Sequence, residues 1–330
     1  MNKKAEPLIV LALIHVIILN VATTSASWIS ITVQIDKTVY NVGEEVTVNG
    51  TVIFDGQPLT NALVAIEIDD RAIPILYRTV NTGSDPTGPF KIEILNAFLG
   101  DINRNPVTNA KVGSTYYLWI VYKNNEANPV KAGLTFTIVD SSNSPMFAVM
   151  LRLGDLPTGG PWYDGCQWAI PSDAKLGTAT VYGSAYTEYP KNGGIPHCPE
   201  KSSTFNIVAT LSTSQLLNQS ETQTIQTNGS YSLKFNIPNT NARLGNYTVY
   251  ATTFQWDLTD METTIFTVIL LGDINGDLIV NAKDAVIIGR AFGSSQGDPN
   301  YNSNADLNKD GQINAKDAII VGANFGNSGI

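Results

Sequence analysis

Asp273, Asn275, Asp277, Asn281 and Asp284 fall at positions 1, 3, 5, 9 and 12 of a twelve-residue stretch, with the backbone carbonyl of Ile279 at position 7. Thirty-three residues further on, Asp306, Asn308, Asp310, Asn314 and Asp317 repeat the spacing, with the Gln312 carbonyl at position 7. Alternate residues of a chain that curls round a centre all point inward. Oxygen donors delivered in this way suit a hard cation, and calcium, which takes about six to eight oxygens, fits the set. One such stretch can arise by chance, but two in the same order, each running into the same apolar pattern, cannot plausibly do so.

The elements that must position these oxygens follow directly. "GDINGDLIVNAKDAVIIGRAFG" at 272–293 and "ADLNKDGQINAKDAIIVGANFG" at 305–326 each continue as a Gly-punctuated helix, which brings position 12 back to close the shell. Ala285, Ile288 and Phe292 share one helix face, as do Ala318, Val321 and Phe325, and with Val280 and Ile313 they are expected to form a small core. Val286, Ile287 and Ala291, and likewise Ile319, Ile320 and Ala323, leave a second apolar flank, which in so small a module suggests a partner. Three carboxylates per loop repel one another without a metal, so calcium should stabilise the folded form.

The loops resemble EF-hand calcium loops with two departures: position 12 is Asp rather than Glu, and no amphipathic helix precedes either loop. Strand-like "TIFTVILLG" comes before the first and "SSQGDPNYNSNA" before the second. Duplicated loop-plus-helix with Asp at 12 resembles the dockerin domain over about 272–327, and "GDPNYNSNADLNKDG" is similar to the family's intervening segment. The resemblance implies two calcium ions and docking to a cohesin domain on another protein, as in cellulosome-type extracellular assemblies. Position 6 is Leu278 in the first loop and Gly311 in the second; the turn there favours Gly, so the first loop is expected to bind more weakly. Where cellulosomal dockerins often carry Ser-Thr pairs, this chain has Ala282-Lys283 and Ala315-Lys316, which implies a different cohesin specificity. Since both copies agree, the resemblance also allows docking in either of two orientations.

Between 28 and about 270 there is no long segment of helical period. Short alternating runs such as "EEVTVNGTV", "ALVAIEI", "TYYLWIVY" and "YTVYATTF" are separated by Gly, Asn, Asp and Pro clusters, the pattern of antiparallel β-sandwiches. The runs also echo one another: "NVGEEVTVNGTV" by "KLGTATVYGSAY", "TGPFKIEI" by "NGSYSLKF", and "KVGSTYYLWIVY" by "RLGNYTVYATTF". Two sandwiches, 28–140 and 141–270, are expected, joined at "SSNSP" (141–145). The motif around residues 40–52 resembles extracellular Ig-like modules. The expected fold is therefore mainly β: two Ig-like sandwiches followed by a small α-helical, dockerin-like calcium domain at 271–330.

A net charge of −9 without any cluster of Lys and Arg argues against nucleic acid as a partner. Lys3, Lys4, an apolar run from Leu8 to Leu19 and small residues at 25–27 read as a signal peptide over 1–27, so the mature chain is expected to be exported without inserting in a membrane. Cys166 and Cys198 then read most simply as one disulfide, the alternative being a metal site with His197. Asn49, Asn218, Asn228 and Asn246 fit the glycosylation pattern. Trp162, Tyr163, Trp168, Tyr186, Tyr189 and His197 suggest either a packed loop cap or a carbohydrate platform. No pair of carboxylates presents itself for glycoside hydrolysis, and Glu67, Asp69 and Asp70 read as solvated surface. The expected protein is secreted and non-catalytic. It works outside the cell or at its surface, with a cohesin-bearing partner and a connection to polysaccharide use; a carbohydrate-binding or adhesive protein is the alternative.

Overall fold

The computed structural model describes residues 26–84, 86–210 and 228–330. Residues 1–25 of the expected export signal and Asn218 lie outside them. The chain begins with β1 (Ile29–Ile31), β2 (Gln34–Ile35), β3 (Val39–Asn41), β4 (Glu45–Phe54), β5 (Gln57–Pro58), β6 (Leu63–Asp70) and β7 (Ile73–Asn81). Alternation decides the layer: along β4, Val46, Val48 and Val52 are fully buried while Glu45 and Asn49 face solvent.

After β7 the chain leaves this layer pair and builds a complete second sandwich. Its strands are β8 (Ile92–Gly100), β9 (Asn109–Lys111), β10 (Thr115–Asn124), β11 (Val130–Val139), β12 (Pro145–Leu156), β13 (Gly159–Ala169), β14 (Gly177–Tyr186) and β15 (Lys201–Val208). The chain then returns to finish the first sandwich with β16 (Ser230–Asn236), β17 (Gly245–Gln255) and β18 (Leu258–Ile269).

The two sandwiches share one plan. In the first, β4 lies between β1 and β16 against a sheet ordered β3-β18-β17-β6-β7; in the second, β10 lies between β8 and β13 against β9-β15-β14-β11-β12. In both five-stranded sheets the short edge strand is parallel to its neighbour, β3 to β18 and β9 to β15. The second sandwich is therefore inserted between β7 and β16 of the first, and the expected boundary near residue 140 does not exist. Ser141 to Ser144 form instead the hairpin turn from β11 to β12, with the Asp140 carboxylate accepting the amides of Ser142 and Ser144.

Each sandwich contains two turns of the type Val-Gly or Leu-Gly, and sequence cannot tell them apart. Gly43 and Gly113 follow the short parallel strand with φ of 82° and 72°, whereas Gly177 and Gly245 open the long strands β14 and β17 with φ of 126° and 117°. The echoes pair accordingly: "NVGEEVTVNGTV" with "KVGSTYYLWIVY", and "KLGTATVYGSAY" with "RLGNYTVYATTF". Equivalent backbone bonds agree, Gly43 N–H donating to the Ile237 carbonyl and Gly113 N–H to that of Ile170.

One apolar core unites Val46, Ile66 and Leu76 with Phe235, Val249 and Phe266, residues from both ends of the first sandwich. The second core is contiguous in sequence. Between them β6 is buried on both faces: Val64, Ile66 and Ile68 enter the first core, while Ala65, Glu67 and Asp69 turn toward the second sandwich. Glu67, Asp69 and Asp70 are thus buried, contrary to the solvated surface expected of them. Lys191 of the second sandwich meets them, its Nζ 3.1 Å from Glu67 Oε1 and 3.0 Å from Asp69 Oδ2, and its backbone N–H donates to Glu67 Oε2. Arg71 and Arg243 pair with Asp70.

The disulfide is not formed; Cys166 and Cys198 are both free thiols. Cys198, in the segment before β15, is buried with its Sγ 3.4 Å from the Ile94 amide of β8, whereas Cys166 belongs to β13, which β10 separates from β8. Trp168 and Tyr186 are buried, the first between Phe147 and Phe205, the second against Tyr77 at the junction of the sandwiches. With Tyr189 and His197 partly covered, the six residues proposed as one aromatic platform do not share a face. Among the described residues no helix is long and apolar enough to cross a membrane.

Candidate calcium-binding and docking site

Two helices, α1 (Ala282–Ala291) and α2 (Ala315–Ala323), follow the two oxygen-rich loops. Each starts in a capping box. The Asn281 side chain accepts the Lys283 amide while Asp284 Oδ2 accepts the Asn281 amide, and Asn314, Lys316 and Asp317 do the same for α2. Reciprocal capping satisfies amides that the first turn of a helix leaves without partners. It also fixes positions 9 and 12 of each loop at the point where the chain turns into the helix.

The loops match almost bond for bond. Asp284 Oδ1 accepts the amides of Ile274 and Asn275 at 2.8 and 3.2 Å; Asp317 Oδ1 accepts those of Leu307 and Asn308 at 2.9 and 3.2 Å. The position-1 carboxylate organises the turn, Asp273 Oδ2 taking the Leu278 amide and Asp306 Oδ2 the Gly311 amide, both at 2.9 Å. Beyond the helices the likeness continues: Gly293 and Ile313 exchange bonds through Ser294, and Gly326 and Val280 through Asn327. The module is thus two copies of one unit related by an approximate two-fold.

Backbone strain is distributed reciprocally between the loops. Leu278 is left-handed at φ 66° where the second loop has Gly311 at 81°, and Lys309 is left-handed at φ 58° where the first loop has Gly276 at 74°. Each loop therefore carries one non-glycine residue in the region that costs about 1–2 kcal/mol. The weaker binding expected of the first loop rested on Leu278 at position 6, and Lys309 at position 4 gives the second loop a matching left-handed residue.

Among the described residues, no three His, Cys, Asp or Glu side chains gather closely enough to hold a metal by themselves. The set here is different in kind: Asp, Asn and a backbone carbonyl in each loop, all oxygen donors suited to calcium rather than to a softer metal. A cation already stands at each position 5. Lys283 Nζ lies 2.8 Å from Asp277 Oδ2, and Lys316 Nζ 3.0 Å from Asp310 Oδ2. The lysine bond, followed by the Asn275 or Asn308 amide, holds these carboxylates below their ordinary range. The residues fit calcium: Asp273, Asn275, Asp277, the Ile279 carbonyl, Asn281 and Asp284 would hold it in one loop, and Asp306, Asn308, Asp310, the Gln312 carbonyl, Asn314 and Asp317 in the other. Calcium there would neutralise the carboxylates and tie each loop to its helix.

The small core consists of Ile274, Val280, Ile288, Ala291, Ala305, Ile313 and Val321. Phe292 and Phe325 do not join it, and neither do Ala285 and Ala318. Phe292 is the C-cap of α1, with φ −59° and ψ 132°, and Phe325 lies just beyond Asn324, the C-cap of α2, so both rings leave the helical face. They are 57% and 58% exposed, beside Val286 at 51% and Ile319 at 68%. On and just past the helices the exposed apolar residues thus form two equivalent sets, Val286 with Phe292 and Ile319 with Phe325, while Leu278 and Ile279 are exposed in the first loop alone.

The C-terminal segment fastens this module to the first sandwich. Ser328 bridges to Ile279 of the first loop while Gly329 bridges to Ala242, and the Asn41 side chain bonds both Asn324 and the Leu271 amide.

No curated protein matches this chain. Among solved structures it is similar to the Pseudomonas fluorescens alkylpurine DNA glycosylase AlkC bound to DNA containing an abasic site analog, at 14% identity over 36% of this chain and 30% of that one, with a TM-score of 0.27. It is also similar to the CARDB domain of a Pyrococcus furiosus protein in complex with di-metal ions (11% identity, 38% of this chain and 95% of that one, TM-score 0.25). A third similarity is to the C-terminal domain of wzt (7% identity, 42% and 86%, TM-score 0.31). Scores this low carry no argument about function. Residues 271–325 match the family model of the dockerin type I domain. Together with the duplicated loop–helix units, this identifies the C-terminal part of the chain as a dockerin domain, a module that binds calcium and docks to cohesin domains.

Proposed function

We propose that this chain is a secreted, non-catalytic modular protein whose dockerin binds two calcium ions and docks to a cohesin-bearing partner in an extracellular or cell-surface assembly connected with polysaccharide use. The observation that carries the reading is the two-fold duplication of loop, helix and exposed apolar set. Val286 with Phe292, and Ile319 with Phe325, offer one partner two equivalent footholds half a turn apart, so docking in either orientation follows from the internal symmetry. Ala282-Lys283 and Ala315-Lys316 at the loop–helix joints set a specificity unlike that of Ser-Thr dockerins.

The absence of catalysis is supported by what surrounds the buried carboxylates. Glu67 and Asp69 are closed in between the sandwiches and held by Lys191, not set across a cleft. His197 is pushed down to about 4 by burial and is neutral at pH 7. The test is capture of the full chain by a panel of immobilised cohesin domains, with calcium and with chelator. Calcium-dependent capture by at least one cohesin, weakened by Val286→Asp combined with Ile319→Asp, supports the reading. Capture that persists in chelator or ignores the double variant overturns it.

A further inference from the structure

On the outer face of the three-stranded sheet β8-β10-β13, alternate residues of β10 turn away from the core. Leu118 and Ile120 go inward, while Tyr117 and Trp119 stand outside, their ring planes 12° from parallel and their centroids 5.6 Å apart. Gly165 faces Trp119 across the strands, and a Cβ there would come within 2.7 Å of the indole, so glycine is what lets the ring lie over β13. The indole N–H donates to the Asp101 carbonyl, and Gln167 Nε2 donates to the Tyr117 hydroxyl, fixing both rings.

Over this surface lies Arg104, held in left-handed backbone (φ 69°) by a loop whose Asp101 carboxylate accepts the amides of Asn103 and Asn105. Its guanidinium sits 4.6 Å from the Tyr163 ring centroid and 5.4 Å from that of Trp119. Arg71, Arg78, Arg152 and Arg243, the other arginines of the sandwiches, each reach a carboxylate; among the described residues Arg104 reaches none. An exposed cation fixed on aromatic rings has its donor fork free for an anion from outside.

We propose that this face binds acidic polysaccharide, a uronate carboxylate pairing with the Arg104 guanidinium while the C–H face of the sugar ring packs on Tyr163. Planar carboxylate suits the arginine fork, and the exposed ring beside it offers an apolar face on which the C–H face of a sugar can lie. Gln167 and the Tyr117 hydroxyl lie within the same face to meet sugar hydroxyls.

The full chain is titrated with short oligogalacturonates, with neutral gluco-oligosaccharides and polyglutamate in parallel, in calcium-containing and calcium-free buffer. Expected is binding of the uronate oligomers that weakens with added salt, independence from calcium, and a loss of about tenfold or more in Arg104→Ala with unchanged thermal unfolding. Arg104→Lys should recover part of the loss. No uronate binding, equal binding of neutral glucan, equal binding of polyglutamate, or an Arg104→Ala chain that binds as the parent does would each overturn the proposal.

Discussion

The Arg78 guanidinium of the first sandwich grips the Glu200 carboxylate of the second, Nη2 to Oε1 at 2.7 Å, with neither side chain more than 8% exposed. The same carboxylate accepts the Thr79 amide, and Arg78 lies flat on the Tyr182 ring at 3.5 Å. Removing one partner of a buried pair leaves an uncompensated charge, at a cost of about 3–5 kcal/mol. Glu200→Ala is expected to destabilise the chain by about that amount in urea unfolding. A loss below about 1 kcal/mol, the range of exposed pairs, would mean that water reaches the junction.

Acidity should act on the same junction through Glu67, which is pushed up to about 7, first by burial and then by the Asp69 charge, against the pull of the Lys191 amide and ammonium. A carboxyl whose folded value lies above its unfolded one, about 4.3, holds a proton in the folded chain that the unfolded chain has released. Its stabilisation is complete below the unfolded value and is lost as pH rises through about 7. Glu67→Gln cannot titrate, so the difference in stability between parent and variant should shift in the variant's favour from pH 4.5 to 7.5. Urea midpoints at a series of pH values measure this; a difference constant across the range would contradict it.

The reciprocal strain at Leu278 and Lys309 predicts two loops of similar calcium affinity rather than a weak first loop. Leu278→Gly should tighten the first loop, and Lys309→Gly the second, each by about tenfold, given about 1–2 kcal/mol for a left-handed non-glycine residue. Calorimetric titration of both variants checks it, and one variant without effect would show that its loop already holds the left-handed conformation without calcium, so that binding pays no strain there.

Shortening the chain to end at Phe325 removes the acceptors of four amides: Val280 loses the Asn327 carbonyl, Asn241 the Ser328 hydroxyl, Ala242 the Ser328 carbonyl and Leu244 that of Ile330. Hydrogen exchange at these amides should accelerate together, while amides in the middle of β17 stay protected. Unchanged protection would mean that the C-terminal segment does not hold the dockerin to the sandwich.

What sequence revealed here was what is local. The calcium ligands lie within twelve consecutive positions, and their spacing needs no knowledge of the rest of the chain. Individual strands were legible for the same reason, since alternation is read one residue at a time. The nesting was not: each sandwich has one Val-Gly and one Leu-Gly turn, and only strand pairing shows that Gly43 corresponds to Gly113 and Gly245 to Gly177. Nor was the burial of Glu67 and Asp69 visible, because a charged residue on the outward face of a strand looks solvated until another domain covers it. Phe292 and Phe325 have helical spacing but stand where the helices end, so period assigned them to a core that the backbone turns away from.

The insertion between β7 and β16 also decides how the protein would carry a mechanical load. The dockerin continues directly from β18, and the second sandwich both leaves from and returns to the first. A pull between β1 and a docked C-terminal domain therefore runs through the first sandwich alone. The second hangs beside the line of tension like a side branch, and feels it only after the strands of the first have parted.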